Sequence, residues 1–247
     1  MKITKVEVRA VAPPVDRFTW SDDLPDQYST NTIVRIYTDD GIEGVAGVWN
    51  ATSFDFERYT AESIRHLAPI LIGKDPLLRE QIWHQIRPRV FPLPPQSLAA
   101  IDIALWDLAG KVADLPLYRL LGGARDRIPA YASTPLFDDV DSYLQNAEEF
   151  ITQGFKAIKF HTWCIPELDL ELARAVRKQY PGNEVAFMLD AENNYDRDGA
   201  LKVARELEAM GFTWFEAPLH DSDLDGYREL TSRVAIPILP SGNWFQD

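Results

Sequence analysis

The chain has 247 residues, 46% of them hydrophobic, enough to bury one large core or two modest ones and too apolar for an intrinsically disordered protein. Its 38 acidic residues against 25 basic give a formal net charge of −13 with no basic run, which argues against general binding to nucleic acid or to anionic membranes. The single cysteine, Cys164, excludes an intrachain disulfide, and the opening MKITKVEVRA lacks the apolar segment of a secretory signal, so a reducing, cytoplasmic setting is expected.

Alternation over Ile3–Val11, over residues 32–37 and over 42–49, with the turn Asp39-Asp40-Gly41 before the third run, predicts a hairpin-rich antiparallel start. The polar and aromatic stretch 15–30, with Trp20 and Tyr28, is longer than a connection needs to be and reads as a loop. Residues 57–90 carry helical spacing, interrupted at Gly73-Lys74-Asp75-Pro76 by a stop and a new start. Ser97 is read as the cap of the next helix, whose apolar positions Ile101, Ala104, Leu105, Leu108 and Val112 recur at helical intervals. Gly122-Gly123 closes this half.

From Ile128 onward short apolar runs alternate with helical segments. Strands are predicted to begin near Ile128, Lys156, Glu184, Thr213 and Ile236, with helices over 142–153, 168–180, 199–210 and 224–233 between them. Four successive strands end on polar groups: Lys159 and His161, Asp190 and Glu192, Glu216, then Ser241 to Asn243. A parallel β/α barrel builds its active site from such strand ends, and the absence of a Gly-rich phosphate turn makes a doubly wound dinucleotide domain the weaker reading.

Residues two apart in a strand share a face, so Lys159 and His161 point together, as do Asp190 and Glu192, while Lys156 has the opposite parity. A Lys beside an imidazole is an arrangement for proton transfer; the alternative is a pair of charges reaching for the barrel rim. Asp190, Glu192 and Glu216 on adjacent strands repel unless something positive lies between them. A hard divalent cation such as Mg²⁺ would serve, and so would pairing with Lys159; Glu192 alternatively sits in the following loop. The run Asp221-Ser222-Asp223-Leu224-Asp225-Gly226 opens like a calcium loop, but its twelfth position is Ser232, so it is read as a turn capping the next helix. Cys164 is read as a small buried residue, not a nucleophile.

Three stretches carry a resemblance. Ala99-Ala100-Ile101-Asp102-Ile103-Ala104-Leu105-Trp106-Asp107, on to Leu120-Leu121-Gly122, is similar to a linker helix; Gly154-Phe155-Lys156-Ala157-Ile158-Lys159-Phe160-His161 resembles a second barrel strand with a Lys-x-Lys pair; Leu189-Asp190 and Trp214-Phe215-Glu216-Ala217-Pro218 resemble strands supplying metal ligands. Together, in this order, they resemble the enolase superfamily, mandelate racemase/muconate lactonizing enzyme group, over the whole length.

The resemblance implies an N-terminal α+β capping domain with the linker helix over 1–125 and a modified (β/α)8, TIM-like barrel domain over 126–247, incomplete in this chain. It further implies a Mg²⁺-dependent enzyme that removes the proton α to a carboxylate and stabilises the enediolate, a hydroxy-carboxylate substrate, and a homo-oligomer. Asp190 and Glu216 would hold the metal, His161 would stand where the family's base Lys is found, Lys159 would help hold the substrate carboxylate, and the loop with Trp20 and Tyr28 would form the specificity lid. The chain departs from the pattern in three places: the pair is Lys-x-His; Gly242 stands where the fifth strand normally supplies a Glu ligand, leaving Asn243 or Glu192 as candidate substitutes; and five strands are present where a closed barrel needs about another hundred residues, so a C-terminal truncation is expected. Dehydration of a sugar acid is favoured over racemisation, because one base and its conjugate acid suffice for it. The other reading is a catalytically silent member or fragment acting as a binding or assembly subunit.

Overall fold

A computed structural model describes residues 1–11, 28–52, 59–90 and 93–242. The chain falls into two compact units that meet in sequence at Ile128 and Pro129.

The first unit is a three-stranded antiparallel sheet with helices. Strands β1 (Ile3–Val11), β2 (Tyr28–Thr38) and β3 (Glu43–Thr52) pair in sequence order. Tyr28 therefore begins a strand, its backbone in register with Thr52, and is not part of the loop expected over 15–30. Trp20 lies outside the described residues. Helices α1 (Tyr59–Leu71), α2 (Arg79–Val90), α3 (Gln96–Ala113) and the single turn α4 (Leu117–Leu120) follow, with the break between α1 and α2 at the predicted Gly-Lys-Asp-Pro stop. Ser97 does not cap α3: Pro95 holds the N-cap position, and Ser97 is buried inside the first turn. Ile101, Ala104, Leu105 and Leu108 bury their helical stripe against Val34, Ile36 and Ala46 of the sheet and against Ile64 and Leu67 of α1. The approach of α3 to β3 is so close that a Cβ on Gly44 would come within 2.1 Å of the Ala104 carbonyl oxygen.

The second unit repeats β then α: β4 (Ala132–Ser133), α5 (Val140–Thr152), β5 (Ala157–His161), α6 (Pro166–Gln179), β6 (Ala186–Asp190), α7 (Arg197–Ala209), β7 (Phe215–Glu216), α8 (Leu224–Arg233) and β8 (Ile238–Leu239). The five strands are parallel and lie in sequence order with no reversal, the order of a barrel wound in one direction and not of a doubly wound sheet. One set of alternate residues, Ile158, Phe160, Phe187, Leu189 and Phe215, packs beneath Tyr143, Val176, Val203, Leu207 and Leu230 of the helices. The other set carries the polar strand ends. Acidic side chains start three of the helices: Asp139, Asp196 and Asp223 each accept from a backbone N–H three residues on, so the calcium-like run does end as a cap on α8. Among the described residues, no helix is long and apolar enough to cross a membrane.

Candidate active site

Parallel pairing places His161 of β5 opposite Asp190 of β6, and Asp190 opposite Glu216 of β7, so three charged strand ends stand side by side. Lys159, one inward position back along β5, reaches up between the two carboxylates. Its Nζ donates to Asp190 Oδ2 at 2.7 Å and to Glu216 Oε1 at 2.9 Å. Burial works against the ammonium, but the hydrogen bond and charge of Asp190, with those of Glu216, outweigh it and raise the Lys159 pKa. Lys156, of opposite parity, is exposed.

His161 is fixed from behind by the segment after β4. Its Nδ1 lies 2.8 Å from the Thr134 carbonyl oxygen, which can only accept, so the Nδ1 proton is assigned there. Thr134 Oγ1 accepts from the His161 backbone N–H at 3.1 Å, and the buried Tyr143 hydroxyl donates to the His161 carbonyl at 2.6 Å. Nε2 consequently points into the cluster, 3.3 Å from Asp190 Oδ2 and 3.2 Å from Glu192 Oε1. Burial opposes the charged ring, yet the hydrogen bonds to Asp190 and Glu192 prevail and push its pKa up to about 9. Facing two carboxylates, the ring is an imidazolium.

Asp190 shows the opposite balance. Burial would raise its pKa, but hydrogen bonds from His161 and Lys159 hold it down at about 2. Its Oδ1 also accepts from the Glu192 backbone N–H at 3.1 Å. Glu192 lies past the end of β6, as the loop alternative has it, and it adopts φ 47°, in the left-handed region. That backbone twist turns its carboxylate back toward His161. Glu216 spends its second oxygen on Trp214, whose indole Nε1 donates to Oε2 at 3.1 Å.

The predicted residues Lys159, His161, Asp190, Glu192 and Glu216 are thus brought together. The fifth strand end differs: the Ser241 hydroxyl donates to Asp221 at 2.6 Å, Gly242 has no side chain to offer, and Asn243 lies outside the described residues. Thr134 and Trp214 were not read as site residues; Trp214 was available as a Trp two positions before Glu216, on the same strand face, while no sequence signal pointed to Thr134. Cys164, past the end of β5, is buried in the helix-side core, and burial pushes its thiol up to about 12, as suits a packing residue.

The donor set fits a hard divalent cation. Oxygens of Asp190 and Glu216 already converge on a single cationic atom, and three carboxylates face only two cationic side chains. One ligand atom each from His161, Asp190 and Glu192 also lies within 4.8 Å of the others.

Residues 5–122 match the family described as mandelate racemase / muconate lactonizing enzyme, N-terminal domain, and residues 142–243 match that described as enolase C-terminal domain-like. Among relatives, the arabinonate dehydratase of Saccharolobus solfataricus is 30% identical over 213 residues, covering 83% of this chain and 56% of that protein. A solved Pseudovibrio sp. structure of the mandelate racemase/muconate lactonizing enzyme kind superposes with TM-score 0.93 at 38% identity, covering 97% of this chain and 64% of the other. The L-talarate dehydratase of Polaromonas sp. JS666, solved with Mg and L-glucarate, gives TM-score 0.85 at 27% identity over 96% of this chain and 66% of that one. Other relatives are named as racemases and epimerases. The chain spans about half to two thirds of the length of the curated relatives it matches. With both matched segments in order and the capping-plus-barrel architecture shared, the chain belongs to the mandelate racemase/muconate lactonizing enzyme group of the enolase superfamily.

Proposed function

We propose that this protein is a Mg²⁺-dependent enzyme that removes the proton α to the carboxylate of a hydroxy acid, dehydrating a sugar acid in preference to racemising one. The observation that carries this reading is the convergence of Lys159 and His161 on Asp190 and Glu216 at adjacent strand ends. Mg²⁺ held by Asp190 and Glu216, with Glu192 or Asn243 in support, would supply the positive charge that makes an α-proton acidic enough to lose. His161 exchanges the proton at Nε2, since Nδ1 is committed to Thr134. It accepts a proton there only when the charge of Asp190 and Glu192 is otherwise neutralised, and returns it as an acid to a departing β-hydroxyl. Lys159 remains the cation for the substrate carboxylate. The segment 1–125 is read as the capping domain and 126–247 as the barrel segment of a cytoplasmic homo-oligomer.

The names of the relatives, dehydratases of arabinonate, talarate and galactarate among them, support an acid-sugar substrate. The rival reading, a catalytically silent binding or assembly subunit, draws on Gly242, where the family pattern calls for a carboxylate. Calorimetric titration with Mg²⁺ followed by a screen of acid sugars for a 2-keto acid product separates them: no binding at millimolar metal removes the metal-dependent enzyme, and exchange of the α-proton without keto product points to a racemase.

A further inference from the structure

We propose that Trp214 is a positioning residue for Glu216, setting which carboxylate oxygen is presented to a divalent cation; the inference rests on the reading of Glu216 as a ligand. Trp214 and Glu216 share the inward face of the β7 segment, while Phe215 between them is fully buried in the helix-side core, so the backbone cannot turn one without the other. An indole N–H has no acceptor function, and when half-buried it seeks one partner. Here that partner is Oε2 of Glu216 at 3.1 Å, which leaves Oε1 turned toward Lys159 and Asp190.

The indole is itself fixed. Tyr131, just before β4, meets Trp214 edge to face with ring centroids 5.5 Å apart, and the same Tyr131 ring lies 5.9 Å from Lys159 Nζ. An edge-to-face ring pair therefore lies beside Lys159 and Glu216, and its indole steers the more exposed of the two proposed ligands, whose side chain is 21% exposed against 5% for Asp190. The Asp190 carboxylate is oriented by three neighbours, Lys159, His161 and the Glu192 backbone N–H, whereas the longer Glu216 stem has two, Lys159 on Oε1 and the Trp214 indole on Oε2. Hydrogen bonds of this kind to ligating carboxylates commonly carry a tenfold or greater effect on metal affinity.

The test is calorimetric titration of Mg²⁺ into the 247-residue protein and its Trp214→Phe variant, with Trp83→Phe on α2 as a control for loss of an indole elsewhere. Trp214→Phe should weaken binding about tenfold and Trp83→Phe should leave it unchanged. Affinity of Trp214→Phe within a factor of two of wild type, or an equal loss in the control, overturns the role of Trp214. Wild-type protein that takes up no Mg²⁺ removes the ligand reading of Glu216 itself, a separate outcome that also ends this inference. Should Trp214→Phe fail to fold, the Trp214 indole resonance of nitrogen-15-labelled wild type gives the answer: it should move on Mg²⁺ saturation, and a static resonance counts against the proposal.

Discussion

Lys159 and Asp190 form a buried ion pair at 2.7 Å, with only 8% and 5% of their side chains exposed. Such a pair contributes little over an apolar replacement of both partners, but breaking it from one side leaves a buried charge uncompensated, at about 3–5 kcal/mol. Lys159→Met should accordingly lower the stability of the metal-free protein by roughly that amount in urea denaturation. Mg²⁺ should restore more stability to the variant than to wild type, because it would meet the same carboxylates without competition from an ammonium. Equal stabilisation of the two proteins would contradict the placement of the cation between Asp190 and Glu216.

His161 is predicted to matter for turnover and not for metal uptake. His161→Ala should lower kcat by about 10²–10⁴, the range for loss of a positioned acid or base, with Mg²⁺ affinity held within a few-fold. Unchanged turnover on an active substrate would remove its role in proton transfer. A collapse of metal affinity would instead make it a ligand with Asp190 and Glu192.

Asp169 gives a pH signature separate from the candidate site. It is fully buried on α6 and accepts from the Tyr195 hydroxyl; burial raises its pKa to about 6, held back by Tyr195 and Thr162. Because the folded-state pKa lies above the unfolded value, the native state binds the extra proton between about pH 4 and 6. Its contribution is therefore fully present below the unfolded pKa and lost as pH rises through about 6, with an amplitude of about 3 kcal/mol. The stability of wild type relative to Asp169→Asn should rise by up to that amount as pH falls from about 7 to about 4. A flat difference across this window would mean that Asp169 is not desolvated.

Two glycines in β3 should respond oppositely to alanine. A Cβ at Gly44 would meet the Ala104 carbonyl at 2.1 Å and Leu108 Cβ at 2.9 Å, while one at Gly47 meets nothing within 4 Å. Gly44→Ala is expected to cost about 2–3 kcal/mol or more through overpacking against α3, and Gly47→Ala to be neutral or slightly stabilising. Thermal unfolding midpoints would distinguish them, and similar values for the two would show that α3 can shift off the sheet.

The parts of this protein legible in its sequence are those governed by local periodicity. The parity of Lys159 and His161, the stop at Gly73, and the order of strands and helices after Ile128 all follow from neighbours a few residues away. What escaped were pairings between distant segments. Thr134 orients His161 from 27 residues away, and Tyr195 meets Asp169 from 26. Ser97 looked like a cap because its residue type favours one, but Pro95, compatible with the first turn, lets the helix start earlier. Tyr28 joined a strand because β3 extends to Thr52 and supplies its partner. The return of Glu192 toward His161 depends on a left-handed backbone that a non-glycine residue seldom adopts, so strand parity alone could not anticipate it.

The alternation along β5 ties two processes into one. Ile158 and Phe160 are held against the helices, in register with Phe187 and Leu189 of β6, while Lys159 and His161 occupy the other face, in register with Met188 and Asp190. A slip of one residue would drive both charges into an aromatic layer and expel Ile158 and Phe160 from it. Any chain that buries its core correctly has therefore already assembled its charged strand ends, and a misregistered chain loses both at once. Chemistry and folding share a single checkpoint in this strand.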